Sequence, residues 1–361
     1  MRLFVSPKMP LKWGVLGTGF IANKVLNLGM RRAGHELVAV GSRSLQTAQA
    51  FAEKNGIAKA YGSYQAVLDD PDVQAVYIAL PSMFHEEWVE AAAKANKHIL
   101  CEKPVAPTLA QVQRMLALCE EHNVVFLDGT FFKHHPRTTE IRRVISSGAL
   151  GNVTSVHSHF SFLMNPAATS ASQIRINPAT EPTGVLGDMA WYTVRFSLLA
   201  YAFELPHSVS CSIVRRHALS GAAEQVVGQL LFHGGRSALF EASFAQVSIQ
   251  RSCVTGDKGA LALNDTFLTS HVSPITKEAA LAFEAPKSDG FEVSVERGKP
   301  WERREVDMEG KLNEEWMVLQ FAECVAGQRS WKEWSHETLV IHTVLDKLWE
   351  SAQNEGVPVY L

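Results

Sequence analysis

The chain has 361 residues, 46% of them hydrophobic, and a formal net charge of -3 at pH 7. This length predicts two domains that each bury a sizeable core, and the small net charge excludes a basic surface for nucleic acid or an anionic membrane. Apolar runs stay well short of the roughly 18 to 20 residues that a membrane helix needs. Five widely spaced cysteines without a CxxC pair predict free thiols in a reducing compartment, the cytoplasm.

Strands and helices alternate in the first part of the chain. Short apolar runs predict strands at residues 11–16, 36–40, 75–80, 99–101 and 124–127. Runs of helical character predict helices that begin just after Gly19 and at residues 47–55, 64–68, 85–96 and 109–122. Because strands that alternate with such helices are joined by right-handed crossovers, we predict an α/β domain with a doubly wound parallel sheet.

The pattern changes after about residue 150. Alternating runs predict strands at residues 153–162, 225–232, 236–244 and 248–255, without helices between them. They indicate an α+β domain with a large open, mostly antiparallel sheet, and helices follow at 313–326 and 337–353, while the polar segment 283–304 resembles a loop. We therefore expect an N-terminal extension at 1–10, a nucleotide-binding domain at 11–134 and a substrate-binding and oligomerisation domain at 135–361.

A glycine-rich turn joins the first strand to the first helix. The pattern Gly17-x-Gly19-x-x-Ala22 lets the backbone approach a pyrophosphate at the helix N-terminus, where unpaired N–H groups and the helix dipole favour an anion. Ala22 replaces the third glycine, a variant that the dinucleotide-binding pattern allows. The alternative is a tight turn without a ligand, and the position at the first strand of a βαβ unit favours the dinucleotide.

The end of the second strand bears on the choice of cofactor. NAD sites place an acidic residue there to accept from the ribose 2′-OH, but this strand is followed by Ser42, Arg43 and Ser44. The Arg43 guanidinium can pair with a 2′-phosphate, and the serine hydroxyls can donate to it. NADP is therefore favoured over NAD, and the alternative is a solvated Arg43.

Further motifs lie along the chain at residues 17–22 (GTGFIA), 78–85 (IALPSMFH), 97–104 (KHILCEKP), 187–192 (GDMAWY) and 256–259 (GDKG). Together they resemble the Gfo/Idh/MocA (glucose-fructose oxidoreductase/inositol dehydrogenase) family over nearly the whole chain. The chain is most similar to the branch of dimeric dihydrodiol dehydrogenase, NADP-dependent xylose dehydrogenase and uncharacterised plant-type oxidoreductases, with Tyr192 where inositol-type members have histidine. The resemblance implies a Rossmann domain, a second domain with an open sheet, and hydride transfer with a pyridine nucleotide.

Lys103 follows the strand at 99–101, at the carboxyl edge of the sheet where ligands bind in open α/β folds. Its ammonium can hold the nicotinamide ribose and the substrate oxygen together, and it can lower the pKa of a neighbouring phenol. Oxidation of a secondary alcohol needs a base for the hydroxyl proton, and Tyr192 is the candidate for that relay. Asp188 shares a helix face with Tyr192 and is expected either to contact substrate or to cap the helix.

The expected site comprises these residues and others that the family resemblance implies. The predicted catalytic residues are Lys103, Tyr192 and Asp188. The predicted cofactor-binding residues are Gly17, Thr18, Gly19, Phe20, Ile21, Ser42, Arg43, Leu80, Pro81, His85, Glu102 and Lys103, and the predicted substrate-binding residues are Phe132, His134, Arg175, Trp191 and Tyr192. No metal site is expected, because no acidic cluster accompanies the adjacent histidines at 134 and 135.

The weaker candidates each have a structural alternative. His85 and Trp191 could be core residues rather than ligand contacts. Arg175, like Arg195, could make a structural ion pair instead of binding substrate. His134 is one of two adjacent histidines, of which at most one is expected to reach a substrate.

The expected function is that of an NADP-dependent oxidoreductase. Hydride passes between nicotinamide and a secondary alcohol or carbonyl of a sugar, cyclic polyol or dihydrodiol, with Lys103 and Tyr192 handling the proton. The alternatives are a non-catalytic dinucleotide sensor, against which Lys103 and Tyr192 weigh, and a glycosidase-like member that holds NAD tightly, against which Arg43 weighs. An open sheet with one apolar face must be covered, so we expect a homodimer through the C-terminal sheet.

Overall fold

The computed structural model describes residues 10–165, 173–268, 281, 284, 286–295 and 300–361. The expected N-terminal extension at 1–10 lies almost entirely outside these residues. No helix in the described part of the chain is long and apolar enough to cross a membrane.

The first half of the chain forms a six-stranded sheet in which every pairing is parallel. Its strands are β1 Lys12–Leu16, β2 Glu36–Gly41, β3 Lys59–Tyr61, β4 Ala75–Ile78, β5 His98–Cys101 and β6 Phe126–Asp128. They lie in the order β3-β2-β1-β4-β5-β6, so the direction of winding reverses between β1 and β4. Such a reversal opens a crevice at the carboxyl ends of the strands, where ligands of this fold bind.

Helices connect these strands and cover the sheet. They are α1 Phe20–Val25, α2 Leu45–Asn55, α3 Tyr64–Leu68, α4 His85–Lys94, α5 Leu109–Glu121 and α6 Pro136–Ser146. A wider helical segment, Leu26–Arg31, continues α1. α4 ends before the predicted limit of residue 96, because Asn96 adopts a left-handed conformation with φ of 56°. The predicted doubly wound fold is confirmed.

The second half forms a nine-stranded sheet. Its strands are β7 Val153–Leu163, β8 Ser208–Arg216, β9 Ala223–Phe232, β10 Arg236–Ser243, β11 Ala245–Gly256, β12 Ala260–Leu263, β13 Ser288–Ser294, β14 Glu302–Asp307 and β15 Val359–Tyr360. The order is β14-β13-β12-β11-β7-β10-β9-β8-β15, and of the described pairs only β7 with β10 is parallel. The predicted open, mostly antiparallel sheet is confirmed.

Five strands of this sheet were not predicted: β8, β12, β13, β14 and β15. The interpretation of 283–304 as a loop was wrong, since β13 and β14 pair there as an antiparallel ribbon. Phe291 and Val293 are buried in β13, but an alternation this short is hard to detect among charged neighbours. β8 also went unpredicted, because only its first half is buried and its end is charged and exposed.

Three further helices tie the two sheets together: α7 Trp191–Ala200, α8 Asn313–Val325 and α9 Lys332–Gln353. α7 packs on β7, and α9 packs on both β8 and α5. α8 lies against Leu26–Arg31, and its Phe321 ring is 4.8 Å from that of Trp13 in β1. The C-terminal helices therefore fix the position of the second sheet relative to the crevice of the first.

Candidate active site

Lys103 lies just beyond the carboxyl end of β5 and points toward the segment before α7. Its Nζ makes an ion pair with the Asp188 carboxylate and donates to the Asp188 backbone carbonyl at 3.1 Å. The same Nζ is 5.1 Å from the centroid of the Tyr192 ring. The three predicted catalytic residues therefore meet in space, although Lys103 and Asp188 are separated by 85 positions in the chain.

Gly187 makes this close approach possible. A Cβ atom at residue 187 would stand 2.1 Å from Thr183 Oγ1 and 3.3 Å from Pro104 Cγ. Because the first distance is far below van der Waals contact, a larger residue would clash inside the segment that carries Asp188, and the second distance leaves little room against the turn that follows β5. The glycine before Asp188 thus has a packing reason.

Asp188 is shared by two cations. Lys103 contacts one carboxylate oxygen, and Arg175 Nε lies 2.9 Å from the other, Oδ2. Burial alone would raise the pKa of Asp188, but Arg175 and Lys103 outweigh it and the net direction is downward, so this carboxyl stays ionised. The Asp188 side chain caps neither the wide helical turn Leu186–Ala190 nor α7, which leaves the helix-cap alternative without support.

Tyr192 is held in a cluster of aromatic rings. Phe132, Phe160 and Phe267 surround it with ring centroids between 5.3 and 6.0 Å away. Such packing fixes the direction of the phenol. Among the described residues the hydroxyl has no hydrogen-bond partner, so it is available to a ligand.

The pKa of Tyr192 moves in the opposite direction to the expectation. Burial raises it well above the usual value, and the carboxylates of Glu102 and Asp188 raise it further. The expected lowering by Lys103 was wrong, because burial of the phenol dominates and the two carboxylates add to it, while Lys103 is paired with Asp188. Tyr192 is therefore a neutral phenol near pH 7, a form that can donate a proton.

The glycine turn after β1 presents an open cradle. Gly17 has φ of +106°, and a Cβ there would lie 2.6 Å from the Ala79 carbonyl oxygen. A Cβ on Gly19, by contrast, would meet no atom within 4 Å, so the backbone at the start of α1 faces open space. Phe20 is 66% exposed at the mouth of this space. The cradle fits a dinucleotide pyrophosphate, for which the α1 backbone N–H groups would be donors.

Other predicted cofactor residues line the same crevice. Leu80, which follows β4, packs toward the Gly17 turn, and Thr18 and Ile21 lie on either side of Gly19 and Phe20. Ser42 and Arg43 directly follow β2, and the Arg43 side chain is exposed. Ser44 caps α2, since its Oγ accepts from Thr47 N at 3.3 Å. The sequence-predicted ends of β1, β2 and β4 are thus neighbours in space.

Two predicted cofactor contacts turn into the protein instead. The His85 ring is buried with Nε2 2.7 Å from the Leu80 carbonyl and Nδ1 3.1 Å from that of Pro104. The Glu102 carboxylate accepts from the hydroxyl of fully buried Tyr77, and burial raises its pKa. Both side chains face backbone or core groups, so they hold the loops after β4 and β5 rather than reach into the crevice.

Two predicted substrate contacts are also placed elsewhere. Trp191 is fully buried and donates from Nε1 to Thr130 Oγ1 at 2.8 Å, which corrects its expected position beside a substrate. The ring of His134 packs on Trp334 at 4.8 Å, and its Nδ1 lies 2.9 Å from Gln320 Oε1. Its neighbour His135 accepts from Arg137 N at the start of α6. Both histidines therefore belong to the interior.

A buried charge cluster lies behind Tyr192. Asp128, at the end of β6, accepts from Lys133 Nζ at 2.6 Å and from Thr338 Oγ1 at 2.7 Å. Arg195 on α7 donates to the Asp128 carboxylate at 3.3 Å and to the Glu337 carboxylate on α9 at 2.8 Å. Arg195 thus forms the structural ion pair that was its alternative role. The cluster joins β6, α7 and α9, and so supports the helix that carries Tyr192.

Sequence reasoning missed Glu181. Its Oε1 accepts from Ser82 N at 2.8 Å and its Oε2 accepts from Ser82 Oγ at 2.6 Å. Burial raises the pKa of Glu181 to about 7. No local pattern signals a contact between residues 99 positions apart, and Glu181 stands in a polar segment that reads as a loop.

Two family models match this chain. The first, described as an oxidoreductase family with an NAD-binding Rossmann fold, matches residues 11–130. The second, the GFO/IDH/MocA C-terminal domain, matches residues 138–262.

Individual proteins are similar to this chain over most of its length. The chain is 31% identical to D-xylose 1-dehydrogenase (NADP(+)) 2 of Haloferax volcanii, over 95% of the chain and 98% of that protein. It is 28% identical to trans-1,2-dihydrobenzene-1,2-diol dehydrogenase of Bos taurus, over 80% of the chain and 84% of that protein. The structure of aldose-aldose oxidoreductase from Caulobacter crescentus superposes with a TM-score of 0.83 at 24% identity, covering 98% of this chain and 100% of the other.

Proposed function

The chain belongs to the Gfo/Idh/MocA oxidoreductase family, and we propose that it transfers a hydride between NADP and a secondary alcohol or carbonyl. The observation that carries the proposal is the position of Lys103 at the carboxyl edge of the first sheet, between the Asp188 carboxylate and the Tyr192 ring. Lys103 Nζ lies over the Tyr192 ring, and among the described residues the Tyr192 hydroxyl has no hydrogen-bond partner. This arrangement suits a reacting carbon–oxygen bond.

The protein groups divide the work of the reaction. Bound nicotinamide supplies or accepts the hydride at its C4. Lys103 donates a hydrogen bond to the substrate oxygen and stabilises the negative charge that grows on it during carbonyl reduction. The Tyr192 hydroxyl gives its proton to that oxygen in reduction and takes it back in oxidation. Asp188 orients Lys103, and Arg175 holds Asp188 from the other side.

The proposed substrate is a sugar, cyclic polyol or dihydrodiol. The support comes from the xylose and dihydrodiol dehydrogenases that resemble the chain over most of its length. A panel of aldoses, inositols and dihydrodiols, incubated with NADP and followed at the reduced-nicotinamide absorbance band, tests this directly. Turnover of at least one class is expected. Tight binding of the dinucleotide without turnover in either direction would favour a sensor and reject the proposal.

NADP is the cofactor because Arg43 and Ser42 follow β2 where an NAD site has a carboxylate. Arg43→Ala should raise the KM for NADP about tenfold or more, through loss of a charge-assisted contact to the 2′-phosphate, and leave the KM for NAD nearly unchanged. Arg114→Ala, which removes an exposed arginine of α5, is the matched control. An Arg43→Ala protein with wild-type kinetics for both cofactors would contradict this assignment.

We also infer that residues 11–134 form the NADP-binding domain and 135–361 the substrate-binding and oligomerisation domain, after an extension at 1–10. The strand ranges support this division, with α8 docking back onto the first unit. The free cysteines, four of them buried, suit a reducing compartment such as the cytoplasm.

A homodimer through the second sheet completes the proposal. One face of that sheet carries a shallow groove of about 640 Å³, lined in part by His157, Leu239 and Arg251. Leu239 is 40% exposed there. A second copy of the sheet is the self-complementary cover for such a surface. Light scattering should give twice the chain mass of 39.8 kDa, and a value equal to one chain would contradict the dimer.

A further inference from the structure

Glu181 links the loop after β4 to the segment that leads to Asp188. Its carboxylate takes both donors of Ser82, the backbone N–H and the hydroxyl. A backbone hydrogen bond joins the same two segments, because Met83 N donates to the Thr180 carbonyl at 3.3 Å. The loop after β4 is therefore fastened to the turn that leads to Asp188.

The Glu181 carboxyl also interacts electrostatically with the charged residues of the candidate active site. Lys103, after β5, and Asp188, before α7, are the charged groups that act on Glu181, and Arg175 pairs with the other oxygen of Asp188. Backbone hydrogen bonds run from Gly184 N to the Glu181 carbonyl and from Asp188 N to the Gly184 carbonyl, each 3.1 Å long. Glu181 is thus coupled by geometry to the loop that carries the predicted cofactor residues Leu80 and Pro81, and by charge to Lys103 and Asp188.

We propose that Glu181 is a positioning residue whose carboxylate favours the oxidised, cationic nicotinamide over the reduced, neutral one. The proposal rests on the proposed function, since it takes the nicotinamide to lie between the loop after β4 and Lys103. A negative charge beside the ring attracts NADP⁺ and has little effect on the uncharged ring of NADPH. Since burial places the pKa of Glu181 at about 7, the preference grows as the pH rises through neutrality.

The preference of Glu181 for NADP⁺ over NADPH implies that a proton is released on binding. Binding of NADP⁺ stabilises the ionised form of Glu181, so the protonated fraction gives its proton to the buffer, and no other bond changes. The two ligands differ in the charge of the nicotinamide ring. The equilibrium between protonated and ionised Glu181 therefore links the binding of NADP⁺ to proton release. The 2′-phosphate also titrates, but it is common to NADP⁺ and NADPH and cancels in their comparison.

Isothermal titration calorimetry at pH 7, in two buffers of different ionisation enthalpy, measures this release without any substrate. The wild-type protein should release about 0.3 proton more with NADP⁺ than with NADPH, a value that corresponds to a coupling of about fivefold. Glu181→Gln keeps groups that can bond to Ser82 but has no charge. It should abolish the difference and weaken NADP⁺ binding about threefold at pH 7, with NADPH binding unchanged.

Two more variants exclude a purely structural effect. Ser82→Ala removes a hydrogen bond that lowers the pKa of Glu181, so the extra proton release should persist and move to higher pH. Glu102→Gln removes the other buried carboxyl near the site and should leave the difference in proton release between NADP⁺ and NADPH unchanged. Glu53→Gln, on the exposed face of α2, is the control for a surface charge.

The outcomes separate the two proposals. If Glu181→Gln weakens NADP⁺ and NADPH equally, or if the difference in protons survives in that variant, the assignment to Glu181 is overturned while the proposed function stands. Loss of the difference only in Glu102→Gln overturns it as well. A wild-type protein that binds neither dinucleotide overturns both proposals.

Discussion

Replacement of Lys103 by methionine should lower kcat about a thousandfold or more in either direction of the reaction. The variant removes the cation that would stabilise charge on the substrate oxygen, and positioned donors of this kind contribute about a hundredfold to a thousandfold each. It also leaves Asp188 with Arg175 as its single cationic partner among the described contacts, so the turn before α7 loses one of its anchors. Steady-state kinetics with NADP and a substrate from the panel measures the loss.

The control for Lys103→Met is the same substitution on the exposed face of α4, Lys94→Met, which should keep wild-type rates. NADPH binding to Lys103→Met should stay within about tenfold of wild type, because the glycine cradle and Arg43 are untouched. A Lys103→Met protein that turns over at the wild-type rate would remove Lys103 from the mechanism. A variant that binds no dinucleotide would instead assign Lys103 to cofactor binding alone.

Tyr192→Phe should lower kcat about a hundredfold to ten-thousandfold, since it removes the group that exchanges the proton with the substrate oxygen. The ring stays among Phe132, Phe160 and Phe267, so the folded structure should be preserved. KM for NADP should change little. Retention of more than a tenth of the wild-type kcat would contradict the role of this hydroxyl.

Tyr201→Phe is the matched control for that variant. Tyr201 is also a buried phenol, and its hydroxyl donates to the Ser237 carbonyl at 2.7 Å in a part of the fold away from Lys103. Loss of that hydrogen bond should cost about 1 kcal/mol of stability and leave kcat unchanged. Equal loss of activity in both variants would indicate a general effect on folding.

The raised pKa of Tyr192 also gives the two directions different pH dependences. Carbonyl reduction uses the protonated phenol, which is the form present at neutral pH, so its rate should be steady between about pH 6 and 8. Alcohol oxidation needs the deprotonated form, so its rate should keep rising with pH.

The central part of the site could be predicted because each residue follows a local signal. Lys103 comes directly after a buried strand, and the carboxyl ends of parallel strands meet at one edge. Asp188 and Tyr192 are one helical turn apart and so share a face. These signals are encoded within a few residues, and the structure brings all three residues together.

Other side chains were misplaced because their direction depends on distant packing. Adjacent residues on a helix point about 100° apart, so once Tyr192 faces the crevice, Trp191 must face the core. The sequence alone does not show which face of α7 lines the crevice, so this argument can be made only once the structure is known. His134 and Glu181 depend on contacts with Gln320 and Ser82, which no local pattern reveals.

The sign of the Tyr192 pKa shift could not be read from the sequence either. A lysine near a phenol lowers its pKa only if burial and nearby carboxylates do not outweigh it. Here burial is the largest cause of the raised pKa, and the carboxylates of Glu102 and Asp188 add to it. Both the depth of burial and the positions of the charges depend on the folded structure.

Direct transfer of a labelled hydride tests the proposed function most closely. The wild-type protein would reduce the carbonyl form of a panel substrate with NADPH that carries deuterium at C4 of the nicotinamide, and mass spectrometry would locate the label. We expect deuterium on the carbinol carbon, delivered from one face of C4 only, and about a thousandfold slower transfer by Lys103→Met. A carbinol carbon without deuterium, whichever face of C4 carries the label, would contradict hydride transfer by this site.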